Sequence, residues 1–208
     1  TTLREWIDPL VRRVDKLFDR EVDINNHRTL ADSVLMVWGS TVGDQALFQK
    51  GVDRFQKTLE ETRADGTLPL EARRGARALW YQRQTLASLT VIAEAGRGHG
   101  IDLYSRTSED GSRSLATLIG ALTNGIGSPL LATVYSSENH IPGPEKDYLK
   151  PDMGFLKTRG HGRHYMAFAE AARSGSAELS FGRLDALFDA KLETERPLID
   201  EFVGGNAT

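Results

Sequence analysis

Residues 72–93 read ARRGARALWYQRQTLASLTVIA, a stretch with four arginines, one tyrosine and no acidic residue. Its apolar residues Leu79, Leu86, Leu89 and Ala93 recur at intervals of seven, three and four, the period of one helix face, and the run is too long for a strand. The spacing predicts a helix from about Glu71 to Ala95, stopped by Gly96-Arg97-Gly98-His99-Gly100. On such a helix Arg74, Arg77 and Tyr81 stand three and four positions apart and share a second face, away from the apolar line.

The same period runs outward in both directions. Upstream, Asp8-Pro9 reads as a cap and first helical position ahead of Leu10, Val11, Val14, Leu17 and Phe18. After Ile24-Asn25-Asn26-His27 an apolar stripe resumes with Leu30, Val34, Val37 and Trp38, and Gly39 and Gly43 end it. Asp44 then caps a helix that buries Leu47, Phe48, Val52, Phe55 and Leu59, and Asp65-Gly66-Thr67-Leu68-Pro69 is a turn. Downstream, Ser114 to Leu122 carries Leu115, Leu118 and Leu122 on one face, and Gly125 to His164 reads as loops punctuated by Pro129, Pro142, Pro144 and Pro151. Further helices are expected at Tyr165 to Ala172 and Phe181 to Lys191. With no sustained alternation and no internal repeat, the fold class is all-α: one helical domain over residues 1–208, whose first three helices are antiparallel and joined by short loops.

Charge and composition exclude several functions. Among 208 residues, 26 Lys+Arg stand against 29 Asp+Glu, a net −3 that argues against a general nucleic-acid binder. Seven of the positive charges, however, fall in two acid-free segments: four arginines in Ala72 to Ala93, and Lys157, Arg159 and Arg163 between Met153 and Ala169. Without those seven the chain would carry −10, so local basic patches in an acidic body can still steer a polyanion to a cleft. No apolar run is long enough to span a membrane, and the first residues, Thr1-Thr2-Leu3-Arg4-Glu5-Trp6, lack the apolar core of a secretion signal. Zero cysteines exclude disulfides and thiolate chemistry. His161 and His164 have no supporting carboxylate motif, and the glycines form no phosphate-cradling loop, so no metal and no cofactor are expected. His99 and His140 read as surface residues.

Two segments carry chemistry. A tyrosine beside arginines works as a base nearer neutral pH, because positive charge stabilises phenolate, and arginine grips carboxylates in a bidentate fork. The same pattern also suits solvated arginines paired with acids, with Tyr81 packing against the core. Asn25-Asn26-His27 offers two amides and an imidazole for polar recognition or proton transfer, or else a helix cap with Asn26 satisfying free N–H groups.

Taken together, Asn25-Asn26-His27, then Gly66, Leu68-Pro69, Glu71, Arg74, Arg77-Ala78-Leu79 and Tyr81, resemble the alginate lyases of polysaccharide lyase family five and their relatives. His27 precedes Tyr81 by 54 positions and Arg74 precedes it by 7, the family's spacing. The resemblance continues through Ile92-Ala93-Glu94 and Gly100-Ile101-Asp102-Leu103, and Arg196-Pro197-Leu198 with Gly204-Gly205 is similar to the group's C-terminal region. It implies part of an incomplete (α/α) toroid of antiparallel helix pairs, with this chain as the C-terminal half of a larger lyase domain. It further implies β-elimination on an anionic polysaccharide, in the periplasm or outside the cell, with no metal or cofactor.

By position, Asn26, His27 and Arg74 would neutralise the substrate carboxylate, and Tyr81 would take the C5 proton and give one to O4. For the opposite geometry His27 would be the base. Asn25, Arg77 and Trp80 are candidate substrate contacts, Trp80 as a stacking surface. Thr29-Leu30 replace an aromatic pair of the family, and Trp80 and Gln82 flank Tyr81 where a histidine is expected. These departures leave the elimination groups in place and bear on the sugar preferred; by the resemblance, poly-mannuronate remains the first expected substrate and glucuronate polymers are the second. The competing class is a non-catalytic carbohydrate-binding or assembly fragment, which would associate with a complementary N-terminal fragment or with itself. A helical scaffold without a sugar ligand is a third.

Overall fold

The computed structural model describes residues 2–21, 25–128, 130, 131, 134, 150–157, 159, 163–175 and 198. Helix α1 (Leu3–Glu21) starts on a reciprocal pair: the Glu5 N–H donates to Thr2 Oγ1 at 3.4 Å and the Thr2 N–H donates to the Glu5 carboxylate at 2.9 Å. This Thr-x-x-Glu capping box takes the place of the expected Asp8-Pro9 start. Pro9 lies inside the helix, where it and Glu5 are both exposed and water reaches the carbonyl that proline cannot bond. Asp8 instead accepts from Trp38 Nε1 at 2.9 Å and pairs with Arg12, one turn on, at 2.8 Å.

Helices α2 (Asn26–Val42) and α3 (Gln45–Glu61) form a hairpin closed by Gly43 in the left-handed region (φ 77°) and by Asp44, which accepts from the Ala46 and Leu47 N–H groups. Gly39 is an interior residue of α2. A Cβ there would stand 2.5 Å from the Phe48 nitrogen, so its lack of a side chain brings the two helices together. Neighbours run in opposite directions along the pair: Gly39 meets Phe48, Gly51 meets Met36, and Asp32 meets Arg54 at 2.7 Å. Asp8 with Trp38 and Phe18 with Arg28 make α1 antiparallel to α2 in the same way.

The face that α2 buries is the reverse of the one its apolar stripe predicts. Leu30, Val34 and Val37 are exposed, while Asn26, Thr29, Ala31, Asp32, Ser33, Leu35, Met36 and Gly39 are buried. Small and polar residues pack there because their partners are polar too. Asp32, 2% exposed, takes Arg28 at 3.1 Å and Arg54 at 2.7 Å, an ion triad that locks α2 to α3.

Residues 69–98 are broken where one helix was expected. A single turn α4 (Pro69–Ala72) is followed by a 3₁₀ turn at Gly75–Arg77, and only then by α5 (Ala78–Gly98). Gly75 at φ 60° makes the break, since a left-handed residue cannot continue a right-handed helix. Helix α5 is the axis of the main core. Leu79, Leu86, Leu89, Ile92 and Ala93 pack with Phe55 and Leu59 of α3 and with Leu115, Leu118 and Leu122 of α6 (Leu115–Gly127). A second cluster of Val11, Leu35 and Leu47 joins the first three helices.

The α5 faces do not separate cleanly, because Gln82 and Arg83 are buried as well. Gln82 ties the 65–69 turn to the core by donating to the Gly66 carbonyl at 2.9 Å and accepting from the Leu68 N–H at 3.2 Å. The later helix, α7 (Phe168–Gly175), begins three residues after the expected Tyr165, and residues 181–191 lie outside the described set. Among the described residues there is no strand, only isolated bridges such as Thr107 to Ser114, and no helix is long and apolar enough to cross a membrane.

Candidate active site

The first turn of α2 is held from three sides. Asn25, the N-cap, accepts from the His27 N–H at 2.9 Å, so the capping expected of Asn26 falls to its neighbour. Asn26, 4% exposed, is left to reach across the fold: its backbone N–H donates to Glu71 Oε1 at 2.7 Å and its Nδ2 donates to Gln84 Oε1 at 2.7 Å. His27 stands next to it with its ring exposed.

The break at Gly75 lets Arg74 fold back over α5, where its guanidinium sits 4.1 Å from the centroid of the Tyr81 ring. Gln84 lies three residues beyond Tyr81, hence one turn along the same face. Arg74 in turn donates its backbone N–H to the Glu71 carbonyl at 3.0 Å. Two chains of contacts therefore leave Asn26, one through Glu71 and Arg74 to Tyr81 and one to Gln84, and both end on α5 one turn apart. A cavity of about 160 Å³ opens beside the Asn26–Gln84 contact, lined by Asn26, His27, Leu30, Arg83, Gln84 and Ser88, and Arg74 and Tyr81 stand outside that lining.

Other expected contributors lie elsewhere. Arg77 lies beyond the break at Gly75, as the N-cap of α5, and its Nε is 3.7 Å from Asp152 at the surface. Trp80 is a packing residue, edge-on to Phe155 at 5.8 Å and tilted against Tyr165 at 4.9 Å. In the second basic segment, Arg159 covers the Tyr165 ring at 4.6 Å and donates to its hydroxyl, while buried Arg83 donates to the Tyr165 carbonyl at 3.1 Å.

His164 is fully engaged: Nε2 meets the Leu156 carbonyl at 3.0 Å and Nδ1 accepts from the Met166 N–H at 3.0 Å. Burial pushes its pKa below the usual histidine range, with the Leu156 bond opposing. His161 and His140 lie outside the described residues. His99 is exposed, but it meets Ser40 at 2.7 Å and the Phe48 ring at 4.6 Å, pinning the end of α5 to the α2–α3 hairpin. Among the described residues no group of acidic and histidine side chains could hold a metal ion.

Two residues on these paths are absent from the sequence reading of the site, Glu71 and Gln84. Glu71 is 3% exposed. Burial pushes its pKa up to about 7, against the Asn26 N–H and the charge of Arg74.

The antiparallel helices of this fold recur in alginate lyase A1-III of Sphingomonas species A1, so the architecture is part of an α/α toroid. The A1-III variant with a tyrosine changed to phenylalanine, bound to a tetrasaccharide, superposes with a TM-score of 0.74 at 22% identity, over 98% of this chain and 52% of that one. The variant with a histidine changed to alanine, also bound to a tetrasaccharide, gives 0.65 at 25% identity, over 88% and 45%. The alginate lyase family model matches residues 1–130, more than half of the sequence, and the chain belongs to that family. A polysaccharide lyase of Stenotrophomonas maltophilia (strain K279a) is 38% identical over 124 residues, which are 55% of this chain and 34% of that protein. An alginate lyase of Azotobacter vinelandii is 29% identical over 127 residues, 61% of this chain and 30% of that protein. The matches thus span about a third of the curated relatives and about half of the solved chains.

Proposed function

We propose that this chain carries the catalytic groups of a polysaccharide lyase that cleaves uronic-acid polymers, poly-mannuronate first among them, by β-elimination. The observation that carries the reading is the path of contacts joining Asn26 through Glu71 to Arg74 and Tyr81, with His27 exposed beside it. The family supports it, and so does one spacing: the histidine and the tyrosine altered in the two A1-III complexes are as far apart in that enzyme as His27 and Tyr81 are here, 54 positions.

The C5 proton of a uronate is weakly acidic, because its loss drives charge onto the adjacent carboxylate. Asn26, His27 and Arg74 meet that carboxylate and hold the charge as it develops. The C5–H bond breaks to Tyr81, the electron pair forms the C4–C5 double bond, the C4–O4 bond breaks, and Tyr81 returns a proton to O4. Where proton and leaving group lie on opposite sides of the ring, His27 takes the proton and Tyr81 remains the acid. No water and no metal enter these steps. The Arg74 guanidinium, already against the ring, faces the phenolate charge that builds there. Polymers of this size meet the protein in the periplasm or outside the cell.

The test is the ultraviolet absorbance of the unsaturated uronate end during incubation with poly-mannuronate, glucuronan and hyaluronan. Absorbance rising fastest with poly-mannuronate supports the reading. Saturable binding with no rise on any polymer would favour a carbohydrate-binding fragment, alone or completed by an N-terminal partner.

A further inference from the structure

Glu71 touches both halves of the candidate site while only 3% exposed. Its side chain takes the Asn26 N–H at 2.7 Å, one of the donors that the first turn of α2 leaves unpaired, and its carbonyl takes the N–H of Arg74 at 3.0 Å. A carboxyl group at a helix N-terminus is favoured by the helix dipole, and here it comes from a residue 45 positions away. The turn that presents it is fixed by Gln82, which is buried and bonded to Gly66 and Leu68.

We infer that Glu71 is a positioning residue for this site: it sets the Asn26–His27 turn against the turn that carries Arg74, and so fixes both relative to Tyr81. The inference rests on the reading of Asn26, His27, Arg74 and Tyr81 as the site. It differs from a merely structural role because Glu71 also shares the field of Arg74. As a carboxylate it competes with the substrate's carboxylate for that guanidinium. Protonated, it still accepts the Asn26 N–H through its carbonyl oxygen and leaves the positive charge to the substrate. Glu61 of α3 also reaches it and opposes its ionisation, while α2 presents the neutral Asn25, Asn26 and Thr29 and α5 presents Thr85. A cavity of about 390 Å³ on its far side, lined in part by these residues, gives the carboxyl group a route for proton exchange. The change falls near pH 7, where burial has moved its titration.

The experiment compares wild type, Glu71→Gln and Glu71→Ala on a saturated tetra-mannuronate, with kcat and KM measured from pH 5.5 to 8.5 and normalised to folded protein by circular dichroism. Wild-type KM rises several-fold as pH passes about 7. Glu71→Gln keeps an acceptor for Asn26, holds kcat within about threefold, and loses that rise in KM. Glu71→Ala loses kcat by roughly ten- to a hundredfold at every pH, as expected when reacting groups shift by about an ångström. Wild-type kcat and the wild-type KM slope in both variants would overturn the inference.

The Asn26 amide resonance decides the matter without turnover. It moves with pH around 7 in wild type and stays fixed in Glu71→Gln, and an amide that titrates alike in both would overturn the inference. A wild type that shows this titration yet neither binds nor cleaves the tetra-uronate refutes the site reading alone.

Discussion

Two arginine–tyrosine pairs, one in each acid-free basic segment, look alike locally and do different things. Arg74 lies 4.1 Å over Tyr81, and Arg159 lies 4.6 Å over Tyr165. Tyr165 is consumed by packing: Arg159 takes its hydroxyl, Arg83 its carbonyl, and Trp80 its ring face. No described residue hydrogen-bonds the Tyr81 hydroxyl, and Gln84, which takes the Asn26 amide, lies three residues further along α5. A cation beside a phenol is thus insufficient to mark a reactive tyrosine. What separates the two is whether the hydroxyl is already committed and whether, on the proposed reading, carboxylate-binding groups stand next to it.

The largest test of that difference is the pair Tyr81→Phe and Tyr165→Phe. Losing a proton-transfer group costs roughly 10²- to 10⁴-fold in elimination rate. Tyr165→Phe forfeits one hydrogen bond, about 1 kcal/mol of stability, and leaves the rate within a few-fold. Equal losses in both, read by unsaturated-end absorbance, would erase the distinction. Next in size, Arg74→Lys keeps the charge but loses the planar fork, and raises KM for the tetra-uronate by about tenfold. The same change at Arg159 leaves KM within about twofold by the same reasoning.

The two regions also carry opposite pH signatures. Glu71 holds its proton to about pH 7 in the folded chain, whereas an unfolded glutamate releases it near 4.5. Its contribution to stability is therefore greatest at acid pH and declines as pH rises from about 4.5 to 7, by on the order of 3 kcal/mol. His164 is shifted the other way, its folded pKa lying below the 6.5 of an unfolded histidine. Its contribution is present above 6.5 and is lost as pH falls through the folded value, because burial disfavours the charged ring and protonation also removes the acceptor for Met166. Urea unfolding at pH 5 and pH 8 checks both. Glu71→Gln raises stability at pH 8 and changes it little at pH 5, and His164→Gln flattens the acid limb.

The smallest effect is expected at Arg77, which belongs to the first segment by sequence but pairs with Asp152 at the surface. Arg77→Ala costs at most about 1 kcal/mol. A loss of activity beyond a few-fold would return Arg77 to the site.

How far the sequence could be read depends on what each helix buries. α3 was legible because its cap is an aspartate and every residue of its apolar stripe, Leu47, Phe48, Val52, Phe55 and Leu59, is buried. α2 was misread because the face it buries holds Thr29, Asp32, Ser33 and Gly39, satisfied by ion pairs and close helix approach, while Leu30, Val34 and Val37 point outward. The break before α5 was hidden because a single glycine in an arginine-rich run is compatible with a helix, and only its positive φ makes it a hinge. The resemblance named Asn26, His27, Arg74 and Tyr81 as the candidate site. Glu71 and Gln84 escaped because their partner, Asn26, lies 45 and 58 positions away, and no local pattern records a contact of that range.

The most direct measurement is the mass of the products formed from a saturated tetra-mannuronate. β-Elimination makes no use of water, so the two fragments together equal the substrate, and one of them is lighter by a water molecule than its saturated counterpart. That unsaturated fragment, formed by wild type and absent with Tyr81→Phe, is the predicted result. Saturated fragments that together exceed the substrate by one water, or an unsaturated fragment formed equally fast by Tyr81→Phe, would contradict it.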